Sequence, residues 1–242
     1  MPKIVNLRGP LIPNDVKWAY DFFEIESICP NDVSNAISEA SEKSDSIVFR
    51  INSTGGCVSV GADIYEMIRN SDVETEARIV GDCCSAATYI ACAADKATMS
   101  PLAQYMIHRC STLASGNSSD FTAVLQMLNE TDKAIANAYA MKTGMSEEEI
   151  IELMNKETFM NAQTAKKLGF VDSVLFENEF VQNSIDTNKI NILNAANCMI
   201  DESIISQMQK NKQSILNTQS SVEKRKALAK LNLLKLGGRV DE

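Results

Sequence analysis

Between residues 46 and 175, short runs of β-branched and apolar residues alternate with longer stretches whose apolar positions recur every three or four residues. Residues 46–52 (Ser-Ile-Val-Phe-Arg-Ile-Asn) are followed by Gly55-Gly56 and predict a buried strand. Residues 58–70 set Val58, Ala62, Tyr65 and Ile68 on one face, a helix. Residues 75–80 read as a second strand that ends at Gly81, and the small apolar residues 85–94 as a buried helix. Residues 97–99 and 105–108 predict further strands. A long amphipathic helix covers 119–142, with Phe121, Leu125, Leu128, Ile135 and Tyr139 along one side. Ser146 and Glu149 make a capping box for the next helix. Asn161 can cap a helix over 162–168 that stops at Gly169, before a strand over 170–175. Strands and helices in alternation predict an α/β fold on a largely parallel sheet.

Composition narrows the class. The 242 residues are 45% apolar and 23% charged, which is globular composition. No run approaches eighteen apolar residues, and the first residues lack the apolar stretch of a signal peptide, so a soluble, cytoplasmic protein with no membrane partner is expected. Seven cysteines, an odd number with Cys83 and Cys84 adjacent, fit reduced thiols; no CxxC or Cys/His cluster argues for zinc, so no metal and no cofactor is expected. The net charge of −9 argues against nucleic acid as the main partner. That charge is uneven: residues 207–242 hold eight Lys/Arg and three Asp/Glu, net +5. Asn and Gln also become frequent from 177. The reading is a domain over 1–176 followed by an Asn/Gln-rich linker and a basic tail over 177–242, whose Ser220–Glu223 capping box opens a helix carrying Val222, Leu228, Leu231 and Leu234.

Candidate chemistry is constrained by the presence of one histidine, His108. Ser85 follows Gly81-Asp-Cys-Cys, where a strand is expected to give way to a helix; it suits either a nucleophile on a sharp turn or a simple helix cap. Gly55-Gly56 after a strand can expose N–H groups to an oxyanion, or can be an ordinary turn. His108 closes an apolar strand, as a base for Ser85 or as a core histidine. Glu157, in a loop before a capped helix, can orient an imidazole or be a solvated surface residue.

The order and spacing of these segments resemble the proteolytic subunit of Clp protease, over residues 4–176. The resemblance is carried by Ile51-Asn-Ser-Thr-Gly-Gly56, Gly61-Ala-Asp-Ile-Tyr65, Gly81-Asp-Cys-Cys-Ser85-Ala-Ala, Tyr105-Met-Ile-His108, Glu157-Thr-Phe-Met-Asn-Ala162 and Ala165-Lys-Lys-Leu-Gly-Phe-Val-Asp172. Within that family, Trp18-Ala-Tyr-Asp-Phe-Phe-Glu24, Cys29-Pro-Asn-Asp-Val33, Gly116-Asn-Ser-Ser and Ala138-Tyr-Ala-Met-Lys-Thr-Gly144 resemble the phage head-maturation (prohead) proteases. The resemblance implies a ClpP/crotonase-like spiral of ββα units with a protruding handle helix. It implies Ser85 as nucleophile, His108 as base and backbone N–H groups of Gly56 and Ala86 as the oxyanion hole. Gly55, Cys57 and Val58 match the strip that pairs with a substrate strand. Glu157 stands where housekeeping members carry Asp, with Asp172 a structural position. The same resemblance implies ring-forming homo-oligomers and a protein substrate, such as scaffold or capsid precursor, in the bacterial host cytoplasm. A Clp ATPase partner is not implied for this subtype, and no GxxxxGK[ST] motif for ATP occurs. Two other functions are compatible with such a fold: a crotonase-like acyl-CoA enzyme, and a non-catalytic capsid-assembly module.

Overall fold

The computed structural model describes residues 2–177, together with Ser206 and Lys210. The tail helix expected beyond residue 220 lies outside the described residues. In chain order the elements are β1 (Lys3–Arg8), α1 (Lys17–Phe22), α2 (Pro30–Lys43), β2 (Ile47–Ser53), α3 (Val58–Arg69), β3 (Thr75–Cys84), α4 (Ala87–Ala93), β4 (Lys96–Met99), β5 (Gln104–Ile107), α5 (Ser118–Thr143), α6 (Glu147–Asn155), β6 (Thr158–Met160), α7 (Ala162–Lys167) and β7 (Ser173–Val174).

Strands β1, β2, β3, β4 and β7 pair in that order, and every pair is parallel. Parallel neighbours need a crossover, and α2, α3 and α4 supply those from β1 to β2, β2 to β3 and β3 to β4. Helix α3 packs between α2 and α4. Ile47, Val48, Phe49 and Ile51 of β2 are all buried, which is why that strand reads as a nearly unbroken apolar run.

The third strand departs from expectation. Gly81 does not end it; β3 continues to Cys84. Opposite the step from Ile51 to Ser53 on β2, β3 advances from Ile79 to Cys83, so it bulges. Asn52 Oδ1 accepts the Asp82 N–H at 3.0 Å inside that bulge. Before the bulge β3 pairs with β4, and beyond it Asp82–Cys84 pair with β5. The bulge therefore redirects the strand that carries Ser85 toward the strand that carries His108.

The strand expected over 170–175 is reduced to Ser173–Val174. Phe170 and Val171 send their N–H groups to Ala165 O, closing the end of α7 instead of joining the sheet. Helix α5 has 26 residues, about 39 Å at 1.5 Å per residue. Its buried side chains, Asp132, Ile135, Ala136 and Tyr139, all lie in its second half; Phe121, Leu125 and Met127 in its first half are more than half exposed. This is the protruding handle.

Candidate active site

Ser85 follows β3 directly, with φ +53°, a left-handed conformation that costs a non-glycine residue free energy and persists only when its surroundings hold it. Those surroundings are specific. Ser85 N–H donates to Met106 O at 2.8 Å, extending the β3–β5 ladder by one bond. Its carbonyl accepts from Thr88 N at 2.9 Å and from Thr88 Oγ1 at 2.6 Å, and Thr88 Oγ1 is 2.6 Å from the Tyr139 hydroxyl on α5. The helix-cap alternative does not describe this geometry: the cap position of α4 is Ala86, which has no side-chain cap bond.

His108 leaves β5 one residue after Ile107. Its Nε2 lies 2.7 Å from Ser85 Oγ. The location of Glu157 follows from strand register. β5 and β6 run antiparallel with Tyr105 opposite Met160, Met106 opposite Phe159 and Ile107 opposite Thr158. One step further, His108 faces Glu157. Oε1 of Glu157 is 4.0 Å from His108 Nδ1, at the outer limit of an ion pair and beyond a hydrogen bond, and its side chain is 71% exposed. Asp172 is committed elsewhere: Oδ2 accepts the Ala97 N–H at 2.6 Å and pairs with Lys142 at 3.2 Å.

The glycine pair sits against the serine. A Cβ built on Gly55 would lie 2.7 Å from Ser85 Cβ and 3.1 Å from Ala86 N. Among the described residues, neither Gly56 N–H nor Ala86 N–H has a hydrogen-bond partner. Gly55 and Cys57 present one edge to Leu11, whose N–H donates to Gly55 O at 2.9 Å and whose carbonyl accepts Cys57 N–H at 3.0 Å. That edge is closed to a substrate strand, and Val58 is already the first residue of α3. The open edge is that of Gly56.

Cys84 is adjacent to Ser85 but is 6% exposed, and burial, then the Asp82 carboxylate, pushes its thiol up to about 12. A thiol that stays protonated at neutral pH is no nucleophile.

One part of the site was not anticipated from sequence. Asp132 of α5 is buried, with its Oδ2 2.6 Å from Arg109 Nε and its Oδ1 accepting the Cys110 N–H at 2.8 Å. Arg109 also donates to Asn129 at 3.1 Å and Asn155 at 3.3 Å. The two residues after His108 are thereby tied to the handle. A signal existed: Asp132 interrupts the apolar stripe Leu128–Ile135–Tyr139 at helical spacing. Arg109→Met should destabilise the protein by about 2 kcal/mol, below the usual cost of breaking a buried pair because Arg109 is 44% exposed and Cys110 still serves the carboxylate. Thermal scans should show a midpoint lower by about 4–8 °C.

A serine in contact with a histidine at the carboxyl end of a parallel sheet, next to unengaged backbone donors, is an arrangement suited to acyl-transfer hydrolysis. Comparison with known proteins supplies the family. The Clp protease family model matches residues 29–178. The chain is 31% identical over 151 residues to an ATP-dependent Clp protease proteolytic subunit of Pleurastrum terricola, covering 61% of this chain and 77% of that protein. It is 28% identical over 157 residues to the protein of the same description from Mesostigma viride, covering 62% and 69%. The chain belongs to the Clp protease family, and its mixed α/β architecture is the ClpP-like one.

Proposed function

We propose that this protein is a serine endopeptidase in which Ser85 is the nucleophile and His108 the general base. The 2.7 Å contact between Ser85 Oγ and His108 Nε2 is the observation that carries the reading. Ser85 attacks the scissile carbonyl as Nε2 takes its proton. The tetrahedral oxyanion receives the Gly56 and Ala86 N–H groups. Imidazolium then returns the proton to the leaving amine, and water repeats the sequence on the acyl-enzyme. Substrate lies extended along the open edge at Gly56, with Gly55, Cys57 and Val58 forming the floor beside it.

Glu157 serves the imidazolium through space, across 4.0 Å and in contact with water. Such an exposed charge contributes far less than a buried, hydrogen-bonded aspartate. Glu157→Gln should therefore lower kcat/KM by no more than about tenfold, against about 10⁴ for the tautomer-fixing carboxylate of a buried triad. Steady-state kinetics on a fluorogenic peptide measures the difference.

The finer assignment is to head maturation, with scaffold or capsid precursor as substrate in the host cytoplasm. It rests on the prohead-type segments Trp18–Glu24, which includes most of α1, and Cys29–Val33, which opens α2. No described helix is long and apolar enough to cross a membrane. Assembly into homo-oligomeric rings is supported by Phe121, Leu125 and Met127, apolar and exposed on the handle. Incubating the purified protein with capsid and scaffold precursors from the same genome, and mapping new termini by mass spectrometry, tests this. Discrete internal cleavage dependent on Ser85 is the expected result; precursors left intact by a protein that hydrolyses small peptides would remove the head-maturation assignment. Precursors bound but never cleaved, together with no peptide hydrolysis, would favour the non-catalytic assembly module.

A further inference from the structure

We infer that residues 10–28 form a positioning element for the oxyanion site, acting through the backbone of Leu11 on the Gly56 N–H. The inference deepens the serine peptidase reading and rests on it.

The segment between Ser53 and Val58 belongs to no strand or helix. Within it Gly55 N–H has only Ser53 Oγ, at 3.2 Å. Cys57 O accepts the Gly61 N–H of α3 at 3.1 Å, and the glycines themselves are held by Leu11, which forms a parallel bridge to Gly56 by bonding Gly55 O and Cys57 N. In a parallel bridge of this kind, the bridged residue's own N–H and carbonyl point to the opposite side. Leu11 thus turns the Gly56 N–H away from itself, to the side where Gly55 abuts Ser85 and Ala86.

Leu11 is in turn held from behind. It bridges Ile28, with Ile12 N–H donating to Ile28 O at 2.8 Å and Ile28 N–H donating to Pro10 O at 2.9 Å. Between those two points the chain makes an excursion whose Ile12, Val16, Ala19, Tyr20 and Phe23, with Cys29 at the start of α2, form a core separate from the main one. Both junctions are too close for a side chain. A Cβ on Gly9 would lie 2.0 Å from Glu26 O, and one on Gly56 would lie 2.4 Å from Leu11 O. The excursion is fastened to the start of α2 by Asn31 N–H to Asn14 Oδ1 at 3.0 Å and by Lys17 to Asp32 at 3.6 Å. Its bonded connection to the glycine segment runs through Leu11 and Gly56.

The test uses the full-length protein and Tyr20→Ala, which hollows the small core and leaves the serine and histidine in place. Fluorogenic peptide kinetics should show kcat falling by about tenfold or more, part of the 10²–10³ that one oxyanion donor supplies. KM and the affinity for a product peptide should stay within about twofold. Affinity for a peptide boronate, whose tetrahedral adduct occupies the oxyanion site, should fall in step with kcat. A merely structural role would lower the thermal midpoint without that parallel. Hydrogen exchange on the wild type provides the second arm: the amides of Leu11, Ile12, Ile28 and Cys57 should open together, faster than those of β2. A folded Tyr20→Ala protein with unchanged kcat and boronate affinity would overturn the inference. So would a Cys57 amide that opens independently of Ile12 and Ile28, a result that stands even if the variant does not fold. A wild type that neither cleaves peptides nor binds the boronate would defeat the peptidase reading itself, and exchange would still decide whether Leu11 couples the excursion to the glycine segment.

Discussion

Ser85→Ala and His108→Ala are each expected to lower kcat/KM for peptide hydrolysis by about 10⁴- to 10⁶-fold, with the double variant scarcely worse than either. On the proposed mechanism the two groups act as one unit across their 2.7 Å contact, so removing either leaves no activated serine. Nothing nearby can substitute. The chain has a single histidine. Cys84, whose thiol is pushed up to about 12, supplies no thiolate at neutral pH. The residual rate, if any, comes from binding and the backbone donors alone. Initial rates on a fluorogenic peptide, with far-UV circular dichroism to verify folding, check the result.

Gly56→Ala should reduce kcat by about 10²–10³ with little change in KM, the effect of losing one oxyanion donor. The residue has φ +148°, and its added Cβ would lie 2.4 Å from the Leu11 carbonyl and 2.7 Å from the Leu11 nitrogen. Those contacts are with backbone, so no side-chain rotation relieves them. Either the Gly56 peptide rotates or it separates from Leu11, and both movements change the direction of its N–H. The contact between Ser85 and His108 involves neither atom, so proton transfer stays geometrically intact while the anion loses its partner. The matching observation is a kcat loss mirrored in boronate affinity.

Much of the fold was legible because its signals are local. The apolar run of β2, the capping boxes of α6 and the Asn161 cap of α7 each arise from residues adjacent in sequence, and each occurs within a residue or two of its expected position. The extent of β3 was not legible. Gly81 reads as a stop, yet the strand passes through it because Asn52, thirty residues away, accepts the Asp82 N–H. The handle's amphipathic face was visible, but periodicity does not say that Phe121 and Leu125 extend past the body of the fold and stay exposed. Ser85 and His108 could be proposed as partners from motif order; their contact depends on β3 changing neighbours from β4 to β5. Glu157 shows the reverse. Its position opposite His108 follows from antiparallel register once β6 is known, but its 4.0 Å stand-off depends on a left-handed residue, φ +47°, that no local pattern announces. Leu11 was silent in sequence, since it acts through its backbone.

The most direct test of the central claim is fluorophosphonate labelling with peptide mapping by mass spectrometry, on the wild type and on Ser85→Ala and His108→Ala. One adduct is expected, on Ser85, absent from both variants. An unlabelled wild type in every oligomeric state that can be isolated would contradict it, as would an adduct that survives His108→Ala, because the only imidazole in the chain would then not be what activates the serine.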